Sequence, residues 1–167
     1  MVVVIRLVVA LEVLNVVILS LSYVGLFLSG FVLHPSEYNM LVSFCGMGIW
    51  FFGLILAFTP NFVFKKHGGV PKGKSYVNTT KLVDSGVYSL LRHPQYTGGF
   101  VIACSIPFLV QHLLVFPLVV VALVTTYLSM VFEDRRLVDK FGDDYVEYQQ
   151  KVPRMNFLIG LFRKIRS

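Results

Sequence analysis

The chain has 167 residues, of which 56% are hydrophobic and only 14% charged, with a formal net charge of +6. Soluble domains carry about 25% charged residues. No Asp, Glu, Lys or Arg occurs from Tyr38 to Phe64 or from Gln95 to Phe132, which excludes an ordinary soluble fold and points to membrane spans of ~20 apolar residues.

The first span is expected from Val3 to Leu33, interrupted only by Glu12 and Asn15. Its apolar stretch exceeds the ~7–15 residues of a signal core and no A-x-A-like site follows, so it reads as a retained helix. His34-Pro35-Ser36 breaks it. The second span runs from Asn39 to Phe64. Cys45 and Cys104 sit inside apolar runs and read as small buried hydrophobes, not a disulfide pair. Lys65 to Arg92 is a long, basic, glycine-containing loop of the kind that carries function.

The uncharged run from Gln95 to Phe132 has 38 residues. As one helix it would extend ~57 Å, so it must fold back. Gln111-His112 and Pro117 mark the turn, giving two shortish spans. Beyond Glu133, Leu137, Phe141, Tyr145 and Tyr148 share one face at helical spacing, which predicts an amphipathic helix from Glu133 to Lys151. Phe157 to Ile165 mixes large apolar residues with Arg163 and Lys164, as an interfacial segment does. The fold class is all-α: an integral membrane helical bundle of about four transmembrane helices plus a C-terminal cytoplasmic amphipathic helix. Its segments are 1–64, 65–94, 95–132 and 133–167.

Of the 15 Lys and Arg, one is Arg6, six lie between Lys65 and Arg92, and eight lie beyond Glu133. The turns near Ser36 and His112 have none. With four spans, the positive-inside rule puts both termini and the large loop in the cytoplasm.

Two strings carry the chemistry. The first is Leu82-Val83-Asp84-Ser85-Gly86-Val87-Tyr88 followed by Arg92-His93-Pro94-Gln95-Tyr96-Thr97-Gly98. The second is Glu133-Asp134, then Leu137, Phe141-Gly142, Tyr145, Tyr148 and Val152-Pro153-Arg154. Together, over residues 81–154, they resemble the membrane methyltransferases that include isoprenylcysteine carboxyl methyltransferase and the phospholipid methyltransferases. The resemblance implies S-adenosylmethionine as cofactor. It implies cofactor contacts at Leu82, Gly86, Tyr88, Arg92, His93, Pro94, Tyr96, Gly98 and Glu133, catalytic roles for Arg154 and Glu133, and acceptor contacts at Tyr145, Tyr148 and Arg154.

The residue types suit these roles. Pro94 fits a first helical turn, and free N–H groups there can meet a cofactor carboxylate. Gly98 and Gly99 allow close approach of a ligand or of a neighbouring helix. A carboxylate at Glu133 can accept from ribose hydroxyls or an ammonium group. Arg154 pairs with an acceptor carboxylate, with the cofactor's carboxylate, or with a headgroup phosphate. Tyr88 and Tyr96 are candidate cofactor walls, since aromatic faces attract a sulfonium. Tyr145 and Tyr148 read as packing for at least one of the pair. Methyl transfer needs alignment and a dry site rather than a nucleophile.

The expected partners are the bilayer and a lipophilic acceptor, with no nucleic acid and no metal. The acceptor is an isoprenylcysteine carboxylate or a lipid, with phospholipid headgroup amines as the alternative. From other classes, a non-catalytic membrane scaffold and a haem-binding protein remain. His93 and His112 lie 19 residues apart along one span, ~28 Å, and cannot share a metal.

Overall fold

A computed structural model describes residues 2–69 and 79–166. Among these described residues, six α-helices follow in chain order: α1 Val2–Val32, α2 Met40–His67, α3 Pro94–Val110, α4 Val115–Phe141, α5 Asp143–Lys151 and α6 Phe157–Arg166, with a 3-10 turn at Gly86–Ser89 before α3. No strand occurs among the described residues. Helices α1, α2 and α4 are long and apolar enough to cross a membrane, and α3 is a shorter apolar helix. Exposed side chains such as Phe27, Phe31, Phe51, Phe58, Val120 and Val124 cover the outside of the spans. Large apolar side chains face outward without penalty only in lipid, and this is an integral membrane bundle.

The first two spans fall where the hydropathy pattern predicts. Asn39 caps α2, its side chain accepting from the Val42 N–H at 3.2 Å. Helix α3 packs between α2 and α4, and α1 packs on α4. The α1–α4 pair is antiparallel. Asn15 meets Ser129, Tyr23 meets Thr126 at 3.3 Å, and Leu26 joins Val115, Val119 and Ala122 in a core cluster. At the far end the two short turns are tied together. The Asn39 N–H donates to Gln111 Oε1 and Gln111 Nε2 donates to the Asn39 carbonyl, both at 2.8 Å. The start of α1, the end of α2, the start of α3 and the segment beyond α4 therefore share the opposite end.

Helix α3 sits unusually close to α2. A Cβ on Gly98 would lie 2.4 Å from the Ala57 nitrogen and 2.5 Å from the Gly53 carbonyl oxygen. The missing side chain allows backbone-to-backbone contact, the usual basis of helix association in lipid.

The C-terminal part departs from the expected single helix over Glu133–Lys151. Helix α4 does not stop at Phe132. It continues for nine residues to Phe141, because Glu133, Arg135, Arg136, Leu137 and Lys140 all favour helix. The break comes at Gly142, at φ 59°, and α5 starts anew at Asp143. The expected apolar face survives the break. Leu137, Phe141, Tyr145 and Tyr148 still pack together, with Leu82, Val138 and Val152.

Candidate active site

The two sequence strings meet at one carboxylate. Asp134 is on α4, two turns before its end, with its side chain 6% exposed. Its Oδ1 accepts from Arg92 Nη1 at 3.0 Å and from the Tyr145 hydroxyl at 2.6 Å, and lies 2.7 Å from His93 Nε2. Its Oδ2 accepts from Arg154 Nε at 2.8 Å. Burying a carboxylate is costly unless it is paired and hydrogen-bonded. Two arginines, a histidine and a phenol satisfy it here.

Backbone pairing joins the same strings. The Arg92 N–H donates to the Pro153 carbonyl at 3.0 Å and the His93 N–H to the Arg154 carbonyl at 3.2 Å. Val152-Pro153-Arg154 thus lies against the residues that lead into α3. Pro94 is buried at the first position of α3, as expected. However, the Arg92 and His93 N–H groups are taken by this segment rather than left for an anion.

Arg154 bridges two partners. Beyond Asp134, its Nη1 donates to the Tyr127 hydroxyl at 2.9 Å, and its guanidinium stands 5.4 Å from the Tyr127 ring centre. Burial lowers its pKa, but the Asp134 carboxylate and Tyr127 more than offset that, so the net direction is upward. Its side chain is 28% exposed, against 9% for Arg92. Arg92 Nε is buried with no hydrogen-bond partner. The Arg92 residue also lines a cavity of about 50 Å³, together with Leu82, Tyr88, Tyr145 and Tyr148.

Tyr145 and Tyr148 are buried, and both hydroxyls bond inside the protein, the second to the Tyr88 carbonyl at 2.6 Å. Burial pushes the Tyr145 phenol up and the Asp134 carboxylate pushes it further. Burial likewise raises Tyr148, with Arg92 opposing. Tyr88 packs on Phe64, ring centres 5.0 Å apart, and Tyr96 meets His93 edge-on at 5.8 Å. Gly86 opens the 3-10 turn and is exposed, with open space around it.

Of the expected residues, the structure brings together Leu82, Tyr88, Arg92, His93, Tyr145, Tyr148 and Arg154. Gly98 belongs to the α2–α3 contact. Glu133 lies outside the cluster and pairs with Arg136 at 2.6 Å on the helix surface. The residue that sequence reasoning missed is Asp134, although the adjacent acidic pair was in view. Among the described residues, no group of three His, Cys, Asp or Glu is placed to hold a metal.

The chain is 36% identical to the protein-S-isoprenylcysteine O-methyltransferase of Schizosaccharomyces pombe over 75 residues, 43% of this chain and 31% of that protein. It is 40% identical to the Xenopus laevis protein of the same name over 79 residues, 43% of this chain and 25% of that one. It is 36% identical to methanethiol S-methyltransferase 1 of Bradyrhizobium diazoefficiens over 69 residues, 40% of this chain and 22% of that one. The matched stretch thus spans between about a fifth and a third of these curated relatives. No solved structure matches the chain significantly. The sequence profile of the phospholipid methyltransferases matches residues 41–144, from the start of α2 into α5 and across the Arg92, His93 and Asp134 cluster. With well over half of its residues matched, the chain belongs to the phospholipid methyltransferase family.

Proposed function

We propose that the protein transfers a methyl group from S-adenosylmethionine to the polar end of a lipophilic acceptor at the cytoplasmic face of a membrane. The observation that carries this is the Asp134 carboxylate, which ties Arg92 and His93 of the first string to Tyr145 and Arg154 of the second. The relatives' names supply the reaction class, and the clustering of Lys and Arg at one end supplies the side.

The residues present fit the cofactor in kind. Arg92 Nε is a buried cationic N–H in want of an acceptor, which suits a carboxylate. The aromatic walls of the adjoining cavity suit a sulfonium. At about 50 Å³ that cavity is smaller than the cofactor, so binding requires wall side chains to move aside. When bound, S-adenosylmethionine supplies a methyl already activated on sulfur. In this reading Leu82, Tyr88, Arg92 and His93 line the cofactor side, and Glu133 contributes its partly exposed carboxylate.

Arg154 is assigned to the acceptor. Asp134 and Tyr127 fix the plane of its guanidinium, and its partial exposure leaves an edge available. His93 is already engaged by Asp134, so an acceptor that needs no deprotonation suits the site best. A carboxylate of the isoprenylcysteine kind is such an acceptor. The protein's remaining task is to orient the acceptor and exclude water. The test is incubation of the protein in bilayers with methyl-labelled S-adenosylmethionine and S-farnesylcysteine analogues, read by mass spectrometry. Label in a carboxyl methyl ester is expected. Label only in phospholipid amines would overturn the acceptor assignment, and no transfer to any acceptor would overturn the function.

A further inference from the structure

Helix α6 docks on the rest of the protein by its narrow side. A Cβ on Gly160 would stand 1.8 Å from the Leu90 carbonyl oxygen and 2.7 Å from its carbonyl carbon, so the two backbones touch. Arg163 Nη1 donates to the Gln150 carbonyl at 3.2 Å and to the Lys151 carbonyl at 3.5 Å, at the end of α5. A cation there suits the negative end of that helix. At ~100° per residue, Arg163 lies within about 60° of Gly160 around α6, whereas Leu161, Ile165, Phe162 and Ile159 lie between about 100° and 260° from it. All four of these apolar residues are exposed. The apolar face of α6 is thus turned away from the body that Gly160 touches.

A contiguous apolar face of this kind marks a contact with a membrane or a partner rather than with water. The position of α6 says which. Tyr88, two residues before Leu90, packs on Phe64, the last apolar residue of α2 before Lys65 and Lys66. Pro94, four residues after Leu90, opens the apolar helix α3. Leu90, and α6 with it, stands at the level where the apolar spans end. At ten residues and ~15 Å, α6 is too short to cross a ~30 Å core. Its segment carries Arg163, Lys164 and Arg166 and no acid, the charge that meets lipid phosphates. The bilayer that covers α1, α2 and α4 therefore continues over α6.

We propose that α6 is a membrane-surface anchor: the face formed by Ile159, Leu161, Phe162 and Ile165 enters the leaflet on the Asp134 side, and this seat holds residues 152–154 against the entry of α3. That segment lies between the two ends of a clasp. It leaves α5, whose last carbonyls Arg163 holds, and its Pro153 and Arg154 carbonyls accept from the Arg92 and His93 N–H groups. It then leads into α6, which rests on Leu90. Lifting α6 from the leaflet frees one side of this pairing. Both α6 and the 152–154 segment lie beyond the stretch matched by the family profile.

The test uses the full chain, with Cys45 and Cys104 replaced by alanine, at one copy per nanodisc of phosphatidylcholine and phosphatidylglycerol. A polarity-sensitive nitrobenzoxadiazole label is attached at Ile165→Cys, at Ile159→Cys and, as the aqueous control, at Asp144→Cys, an exposed position on α5. The labels at 165 and 159 should shift to the blue and lose emission to phosphatidylcholine carrying a nitroxide high on its acyl chain. The label at 144 should do neither. Phe162→Glu should lower the ratio of seated to unseated α6 by roughly 10- to 150-fold, the transfer cost of one large apolar side chain. The 165 label should then fall to the level of the 144 label, and amide hydrogen exchange at Arg92 and His93 should quicken. A shifted label that the lipid nitroxide does not quench is covered by protein and overturns the anchor. Unshifted labels at both positions lie in water and do so too. Unchanged exchange at Arg92 and His93 once Phe162→Glu has lifted α6 overturns the clasp. Two label positions keep the test decisive if one variant fails to fold. Neither readout needs turnover, so both stand apart from the methyl-transfer test.

Discussion

His93 Nε2 lies 2.7 Å from Asp134 Oδ1, and this contact joins the entry of α3 to the last turns of α4. The same oxygen also receives Arg92 and Tyr145, and the other oxygen receives Arg154. One carboxylate thus compensates two cations in a largely buried setting. Asp134→Asn removes that charge and leaves both guanidinium groups without it. Breaking a buried ion pair from one side costs about 3–5 kcal/mol. Glu133→Gln disturbs only a surface pair with Arg136, so its effect on stability should stay within about 0.5 kcal/mol. Thermal unfolding of the two variants in the same detergent checks the contrast. Equal losses would show that the cluster is not what holds the two strings together.

The difference between these adjacent acids also shows what the sequence displays and what it hides. The spans, the hairpin and the order of the two strings follow from charge-free runs and motif spacing. Which of Glu133 and Asp134 turns inward depends on a rotation of ~100° about α4, and this is set by where Arg92 and Arg154 sit across the fold. The continuation of α4 past Phe132 was legible in principle, since nothing before Gly142 breaks a helix. The change from lipid-facing to charged residues marks the membrane boundary, and a helix crosses that boundary without ending. Asn15 and Thr125 are 110 positions apart, and no local pattern pairs them.

Tyrosine ionisation gives a pH prediction. Tyr145 is raised above the unfolded value of about 10 by burial and by Asp134, and Tyr148 by burial. A folded pKa above the unfolded one gives stability that is fully present below pH ~10 and declines as pH rises through the folded pKa. The unfolded chain alone gains by ionising in that window. Stability should therefore fall as the pH is raised beyond ~10, and less steeply in a Tyr145→Phe, Tyr148→Phe double variant. Denaturation midpoints between pH 8 and 11 measure this, and identical slopes for the two proteins would refute it.

Gly98 makes a steric prediction. The atoms a Cβ would meet belong to the backbone of α2, at 2.4 and 2.5 Å, and cannot rotate away. Gly98→Ala must push α3 from α2 and should destabilise by at least the ~1–3 kcal/mol typical of overpacking. Gly30→Ala, with nothing within 4 Å, should be neutral or slightly stabilising. Comparable unfolding temperatures for the two variants would mean that the close α2–α3 approach is wrong.

Orientation is open to chemical labelling. Ser36 is exposed at the turn between α1 and α2, and Ser85 is exposed at the opposite end of the bundle. In a background with Cys45 and Cys104 replaced by alanine, a membrane-impermeant thiol reagent added outside intact cells should modify Ser36→Cys. It should reach Ser85→Cys only after the membrane is opened. The reverse pattern would place the Asp134 cluster on the outer side.

The proposed division of labour turns on Arg154 and Glu133. Arg154 holds Asp134 through Nε and Tyr127 through Nη1, two directions of one planar group. Lysine offers a single flexible ammonium and cannot hold both while also meeting an acceptor. Arg154→Lys keeps a positive charge beside Asp134, so the fold should persist with a modest loss of stability. Its rate of methyl transfer should fall by at least about tenfold, because alignment of the acceptor is what the guanidinium supplies. Cofactor affinity should change little. Glu133→Gln should behave in the opposite way, with affinity for S-adenosylmethionine weakened roughly 10- to 150-fold by loss of one charged hydrogen bond. Its single-turnover rate at saturating cofactor should stay near that of the parent. Equilibrium binding of S-adenosylhomocysteine and single-turnover kinetics on both variants decide between the assignments. If Arg154→Lys loses cofactor affinity while Glu133→Gln keeps it, the cofactor lies on the Arg154 side of Asp134 and the acceptor must approach from the other.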